Sequence, residues 1–323
     1  DYPDELNQLQ QLGYQVHTLP MQRTGTNPIQ DLKALKSIYQ LIRQIQPDYV
    51  LSYTIKPVIY GTLAASLAKV PHRFALITGL GYAFQNAESG QRSIFQKMVH
   101  GLYAHALKHA HKVFFQNPDD LKLFQSMQLV SPQKPTVVVN GSGVNVQDFA
   151  VLDLPKNEHG QAKASFLLIA RLLGDKGVRE YAEAARIIKA KHPKVEFHLV
   201  GWIDENPAAI AQAELDTWVA EKVVNYWGKL SDVRPAIAAS SVYVLPSYRE
   251  GTPRTVLEAM AMGRAIITTD APGCRETVIH GQNGYLVPVK SVEELVQAMQ
   301  TFINDPQLMV RMGQRSREIA LEK

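Results

Sequence analysis

Cysteine is almost missing from this chain: Cys274 is the only one in 323 residues, so no internal disulfide can form. A single thiol fits a reducing compartment, and a cytoplasmic location is expected. Long apolar runs are also missing. None approaches the roughly 20 residues that cross a bilayer, which excludes a transmembrane helix within this stretch. Blocks of one charge sign are absent as well. Lys and Arg are spread along the chain and the net charge is +4, which excludes the dense basic arm of a nucleic-acid binder. There is no initiator Met: the chain opens inside an amphipathic pattern of Leu6, Leu9 and Leu12 that Gly13 ends. The pattern from Gln307 to Lys323 stops without a cap. A truncated N-terminal domain and a cut C-terminus are therefore expected, and no targeting peptide can be judged.

What is present describes a globular protein, 46% apolar and 20% charged. Its length predicts two domains of about 150 residues each. Short β-branched or apolar runs alternate with helical spacings from the start. Tyr14 to Leu19, Tyr49 to Tyr53, Phe74 to Thr78, Val113 to Phe115 and Thr136 to Val139 read as strands, with helical stretches such as Ile59 to Leu67 and Ile94 to Leu107 between them. The rhythm breaks from Asn140 to His159, with Gly141, Gly143, Asp153, Pro155 and Gly160 close by. It then resumes with strands at Ser165 to Ala170, Val195 to Val200, Val223 to Trp227, Val242 to Leu245, Ala265 to Thr268 and Tyr285 to Val287. The expected architecture is α/β, with two Rossmann-like doubly wound domains facing across a cleft: residues 1–145, a linker at 146–160, and residues 161–323. In such sheets ligands bind beyond the carboxyl ends of the strands.

Two segments carry the chemistry. Pro246-Ser-Tyr-Arg-Glu250-Gly-Thr-Pro-Arg254-Thr-Val-Leu-Glu258 follows the strand ending at Leu245. Thr252 is expected to cap the next helix, with Pro253 in its first turn, so that backbone N–H groups point outward as a phosphate site. Gly251 gives a ligand room to approach, and Arg254 lies beside the same terminus or pairs with a neighbouring acid. The second segment is Leu168-Ile-Ala-Arg171-Leu-Leu-Gly-Asp-Lys176-Gly177, a strand end, turn and helix start. A planar guanidinium and a compact ammonium suit opposite sides of a diphosphate.

With Leu199-Val-Gly201, Trp227-Gly228, Ala271-Pro-Gly-Cys-Arg-Glu276 and His280-Gly-Gln-Asn-Gly284, these residues resemble the family-four retaining glycosyltransferases, which have the GT-B architecture. The resemblance implies that Arg171 and Lys176 neutralise the departing diphosphate of a nucleotide-sugar donor and that Glu250 faces the donor sugar. It implies that Glu258 holds the ribose, with Gly201 and Gly228 among the donor-binding residues. It implies no metal and no cofactor beyond the co-substrate. In the N-terminal half, Arg23-Thr-Gly-Thr-Asn-Pro28, Ser52-Tyr-Thr54-Ile-Lys56-Pro57 and Thr78-Gly79-Leu-Gly81 resemble a subgroup that extends undecaprenyl-diphosphate sugars, often from UDP-N-acetylhexosamines. Thr54, Lys56, Thr78, Gly79 and Gly81 are the expected acceptor side. Thr78 stands where many relatives carry a His, and the glycine loop after the first strand is absent.

The expected activity is transfer of a sugar from a UDP-sugar to a lipid-linked saccharide. The alternatives are a UDP-sugar epimerase or a non-catalytic nucleotide-sugar-binding subunit. Lys97, Lys108 and Lys112 near Phe95 and Tyr103 read either as contact with the inner face of an anionic membrane or as a solvated helix face. His100, His105, His109 and His111 lack the companion cluster of a metal site, and Cys274 lacks a His partner, so a buried thiol is expected.

Overall fold

The computed structural model describes residues 3–21, 27–80, 84, 94–206 and 208–323. The chain separates into two compact units, residues 1–114 with 123–137, and residues 115–122 with 138–323.

The first unit holds α1 (Pro3–Gln11), α2 (Pro28–Ile45), β1 (Tyr49–Tyr53), α3 (Ile55–Leu67), β2 (His72–Ile77), α4 (Ile94–His109), β3 (Lys112–Phe115), α5 (Pro118–Ser126) and β4 (Thr136–Val138), the last three shared in part with the second unit. Its sheet order is β1-β2-β3-β4, and β1 pairs in parallel with β2 from Tyr49↔His72 to Tyr53↔Leu76. Asn27 caps α2 by accepting from the Ile29 and Gln30 N–H groups, and Pro28 fits the first turn, where its missing donor costs nothing. Ile38 and Ile42 of α2 pack with Ala64 and Ala65 of α3. Tyr49, Leu51 and Tyr53, alternate residues of β1, stay exposed on the opposite face. Residues 14–19, expected as a strand, are irregular. Alternation becomes a strand only where a partner supplies the ladder, and the sheet of the described residues begins at β1.

The second unit contains β5 (Ser165–Ile169), α6 (Val178–Lys191), β6 (Glu196–Val200), α7 (Gln212–Ala220), β7 (Asn225–Tyr226), α8 (Arg234–Ala238), β8 (Val242–Leu245), α9 (Arg254–Ala261), β9 (Ala265–Thr269), β10 (Gly284–Val287), α10 (Val292–Asn304) and α11 (Pro306–Glu322). The order is β10-β9-β8-β5-β6-β7, all parallel. Phe166 and Leu168 join one core with α6, α7 and α10, whereas Leu167 and Ile169 join another with α8 and α9. The sheet is thus buried on both faces, which is why its strands read as continuous apolar runs. The expected strand over 223–227 is shortened to Asn225–Tyr226, because Val223 and Val224 bury themselves against α7. Residues 146–160 lie within this unit, where Arg317 donates to the Val146 and Phe149 carbonyls and Arg264 to that of Leu152.

The strand order reverses direction between β5 and β8, its topological switch point. The loops leaving these two strands carry Arg171 to Lys176 and Pro246 to Thr252.

Candidate active site

The loop after β5 is short because a 3-10 turn, Gly174–Lys176, leads through Gly177 directly into α6. Its Asp175 carbonyl accepts from the Tyr248 N–H at 2.9 Å, joining it to the loop after β8. Across this join Lys176 Nζ lies 2.6 Å from Glu250 Oε1, and both side chains are 16% exposed. The buried Ser247 hydroxyl donates to the same oxygen at 2.8 Å. A cation and a hydroxyl donor on one oxygen fix the direction of the carboxylate.

The Glu250 backbone is confined as well. Its N–H donates to the Pro272 carbonyl at 2.9 Å, and its own carbonyl presses on Gly273, where a Cβ would fall 2.1 Å away. Gly273 has φ +80°, so a glycine is required there twice over.

Arg171, predicted with Lys176, finds a different partner: its NH1 lies 2.9 Å from Asp204 Oδ2 in the loop after β6. Glu258 lies on α9, buried to 6% exposure, with Arg254 Nε at 2.9 Å one turn earlier. Burial pushes the Glu258 carboxyl above the ordinary range, and Arg254, itself largely exposed, only partly opposes this. Of the two alternatives for Arg254, the pairing with a neighbouring acid is present, with Glu258. Thr252 is not the cap of α9. Pro253 occupies that position, and the Thr252 hydroxyl donates instead to the Gln116 carbonyl at 3.0 Å. Gly251 is buried. Gly201 and Gly228 come together through a 2.9 Å backbone bond, and Gly201 sits so close to the Ala170 carbonyl that a Cβ would overlap it.

In the first unit Thr54, between β1 and α3, has φ 67°, ψ 165°, a backbone state unusual for a β-branched residue. Lys56 donates to Asp31 at 2.9 Å, and Thr78 and Gly79 follow β2. Gly81 and residues 23–26 lie outside the described residues. Tyr103, offered as a membrane contact, is 1% exposed and packs on Phe84 and Phe124. The side chain of Phe95 also lies outside the described residues. His109 meets the Ser66 hydroxyl and His111 accepts from the Arg73 N–H.

Several participants were missed at the sequence level. Asp204 and Ser247 touch the two cation-carboxylate sites, and both follow strands within a few residues, which was a usable signal. Asn117 and Asp120 lie 134 and 129 residues upstream of their partners Gly251 and Arg249 and had no such signal.

Comparison with known proteins gives the family. Residues 163–305 match the family described as Glycosyl transferases group 1, and residues 3–117 match Glycosyl transferase 4-like. The N,N'-diacetylbacillosaminyl-diphospho-undecaprenol alpha-1,3-N-acetylgalactosaminyltransferase of Campylobacter jejuni is 30% identical over 328 aligned positions, covering 99% of this chain and 85% of that protein. The chain is a family-four glycosyltransferase. This glycosyltransferase is also 28% identical to the UDP-Gal:alpha-D-GlcNAc-diphosphoundecaprenol alpha-1,3-galactosyltransferase of Escherichia coli, over 87% of the chain and 73% of the relative. In fold it is similar to Anabaena HepE, solved in complex with UDP-glucose, with a TM-score of 0.74 at 20% identity over 98% of this chain and 84% of that one. The sucrose-phosphate synthase of Thermosynechococcus elongatus gives a TM-score of 0.77 at 21% identity over 94% and 77%. The glycosyltransferase therefore has the GT-B fold, as the sequence implied, and a glycosyltransferase rather than an epimerase is what its relatives support.

Proposed function

We propose that this glycosyltransferase moves a sugar of the N-acetylhexosamine class from a UDP-sugar to a lipid-linked saccharide in bacterial surface-glycan assembly, with retention at the anomeric carbon and without a metal ion. The observation that carries the reading is the Lys176–Glu250 pair at the switch point of the C-terminal sheet. An ammonium has three donors; Glu250 takes one, and the others suit the oxygens of a departing diphosphate. Arg171 supplies a second cation, so negative charge appearing on the nucleotide meets fixed positive charge. Glu258 accepts from ribose hydroxyls, Glu250 turns to the donor sugar, and Gly251, Thr252, Pro253 and Arg254 line the phosphate-facing end of α9. Gly201 and Gly228 complete the donor side. Thr54, Lys56, Thr78 and Gly79 serve the acceptor.

Both named relatives above act on undecaprenyl-diphosphate sugars, which supports the acceptor class. A peripheral position at an anionic membrane follows from it, on the α4 face that exposes Lys97, Met98, His105 and Lys108. Acceptor-dependent UDP release, measured over a panel of UDP-sugars with an undecaprenyl-diphosphate-linked sugar, tests the proposal. Release with a UDP-N-acetylhexosamine only when acceptor is present is expected. Sugar interconversion without acceptor would replace the reading with an epimerase.

A further inference from the structure

The loop that presents Glu250 is gripped by a segment from far upstream. Asn117 is fully buried, and its Nδ2 donates to the Gly251 carbonyl at 2.9 Å and to the Glu250 carbonyl at 3.4 Å. Its Oδ1 accepts from the Asp120 N–H at 2.8 Å, which caps the first turn of α5. One residue before Glu250, Arg249 NH2 lies 2.7 Å from Oδ1 of the fully buried Asp120. Two residues after it, the Thr252 hydroxyl reaches the Gln116 carbonyl. Residues 116–120 thus hold all four consecutive residues from Arg249 to Thr252, opposite the grip of Pro272 and Gly273 on the same loop.

We propose that Asn117 is a positioning residue for sugar transfer, its side-chain amide fixing the backbone from which the Glu250 carboxylate is aimed. This rests on the reading that Glu250 faces the donor sugar. The amide has two separable duties. The oxygen caps a helix and contributes to stability, whereas the nitrogen orients two carbonyls and contributes to the site. A serine retains the capping oxygen but is too short to replace the amide's donors. Burial favours the uncharged Asp120, and Arg249 opposes this, so the grip holds while that pair is intact.

The test compares Asn117→Ser and Asn117→Ala in the full chain. Asn117→Ser is expected to keep its Tm near that of the parent while kcat falls about tenfold and the Kd for UDP is unchanged. In a Glu250→Gln background the same substitution is expected to leave kcat within roughly twofold, because positioned groups that act as a unit are not additive. A parent-like kcat in Asn117→Ser, or losses that multiply in the double variant, would overturn the proposal. If Asn117→Ala fails to fold, the serine variant alone decides. If the parent transfers no sugar from any UDP-sugar, the functional reading falls on its own. The grip is then read by amide hydrogen exchange of Glu250, whose N–H is bonded to Pro272. Faster exchange in Asn117→Ser supports the grip, and unchanged exchange overturns it.

Discussion

Lys176 Nζ and Glu250 Oε1 are 2.6 Å apart although 74 residues separate them in sequence. They meet because each follows one of the two central strands of a parallel sheet whose order reverses between those strands. The pair is mostly buried, so removing one member strands the charge of the other.

Lys176→Ala is therefore expected to lower kcat by about 10²–10³, the scale of one lost preorganised donor. Steady-state kinetics against the preferred UDP-sugar measures this. A Kd for UDP that weakens as much as kcat falls would move Lys176 from charge stabilisation in transfer to ordinary ground-state binding.

Arg171→Lys should be poorly tolerated, since a point charge cannot make both the Asp204 contact and a forked contact with phosphate. Asp204→Asn should be milder and act through donor KM, because it loosens the guanidinium without removing it. Comparison of kcat and KM in the two variants checks the order.

Glu258 ties function to stability in opposite directions. Its carboxyl is raised by burial, so the folded state retains a proton that the unfolded chain has already released. That favours folding at low pH, and the contribution declines as pH rises from the ordinary carboxylate range through the raised folded value. Glu258→Gln, which carries no charge to desolvate, is expected to raise Tm at pH 7 and to flatten this pH dependence, while weakening UDP. Thermal melts across pH 4–8 with UDP titration would show both; a Tm that falls at pH 7 would mean that the Arg254 pair outweighs the cost of burial.

Gly273→Ala places a methyl group on the Glu250 carbonyl at a φ of +80°. We expect a loss of about 1–3 kcal/mol in stability from the backbone state alone, with kcat reduced because the Glu250 loop must move. Urea denaturation and kinetics of the purified variant measure the two effects separately.

Cys274 is fully buried and its thiol is pushed up to about 12 by burial. Because the thiolate is the reactive form, native protein should not react with a thiol reagent at pH 8, and unfolded protein should react fully. Rapid labelling of folded protein would contradict the burial.

Much of the fold was legible because the second-unit strands are buried on both faces and must read as unbroken apolar runs, as Val242 to Leu245 does. Residues 14–19 show where that logic stops, since alternation specifies a strand's faces but cannot supply its neighbour. Thr252 shows the same for a cap. Ser, Thr and Asp beside a helix start are caps by statistics, but here the carbonyl of Gln116 competes for the hydroxyl and Pro253 takes the position.

By itself the sequence determined the alternation of strands and helices, the placement of Arg171, Lys176 and Glu250 just beyond strands and of Glu258 on the helix that follows, and the family. These are local properties of spacing, turn chemistry and residue type. Tertiary structure alone decided that Lys176 pairs with Glu250 and Arg171 with Asp204, and that Asn117 grips a loop 133 residues away. Those pairings depend on strand order and on which groups are withdrawn together from water, and neither is written in the neighbourhood of any one residue.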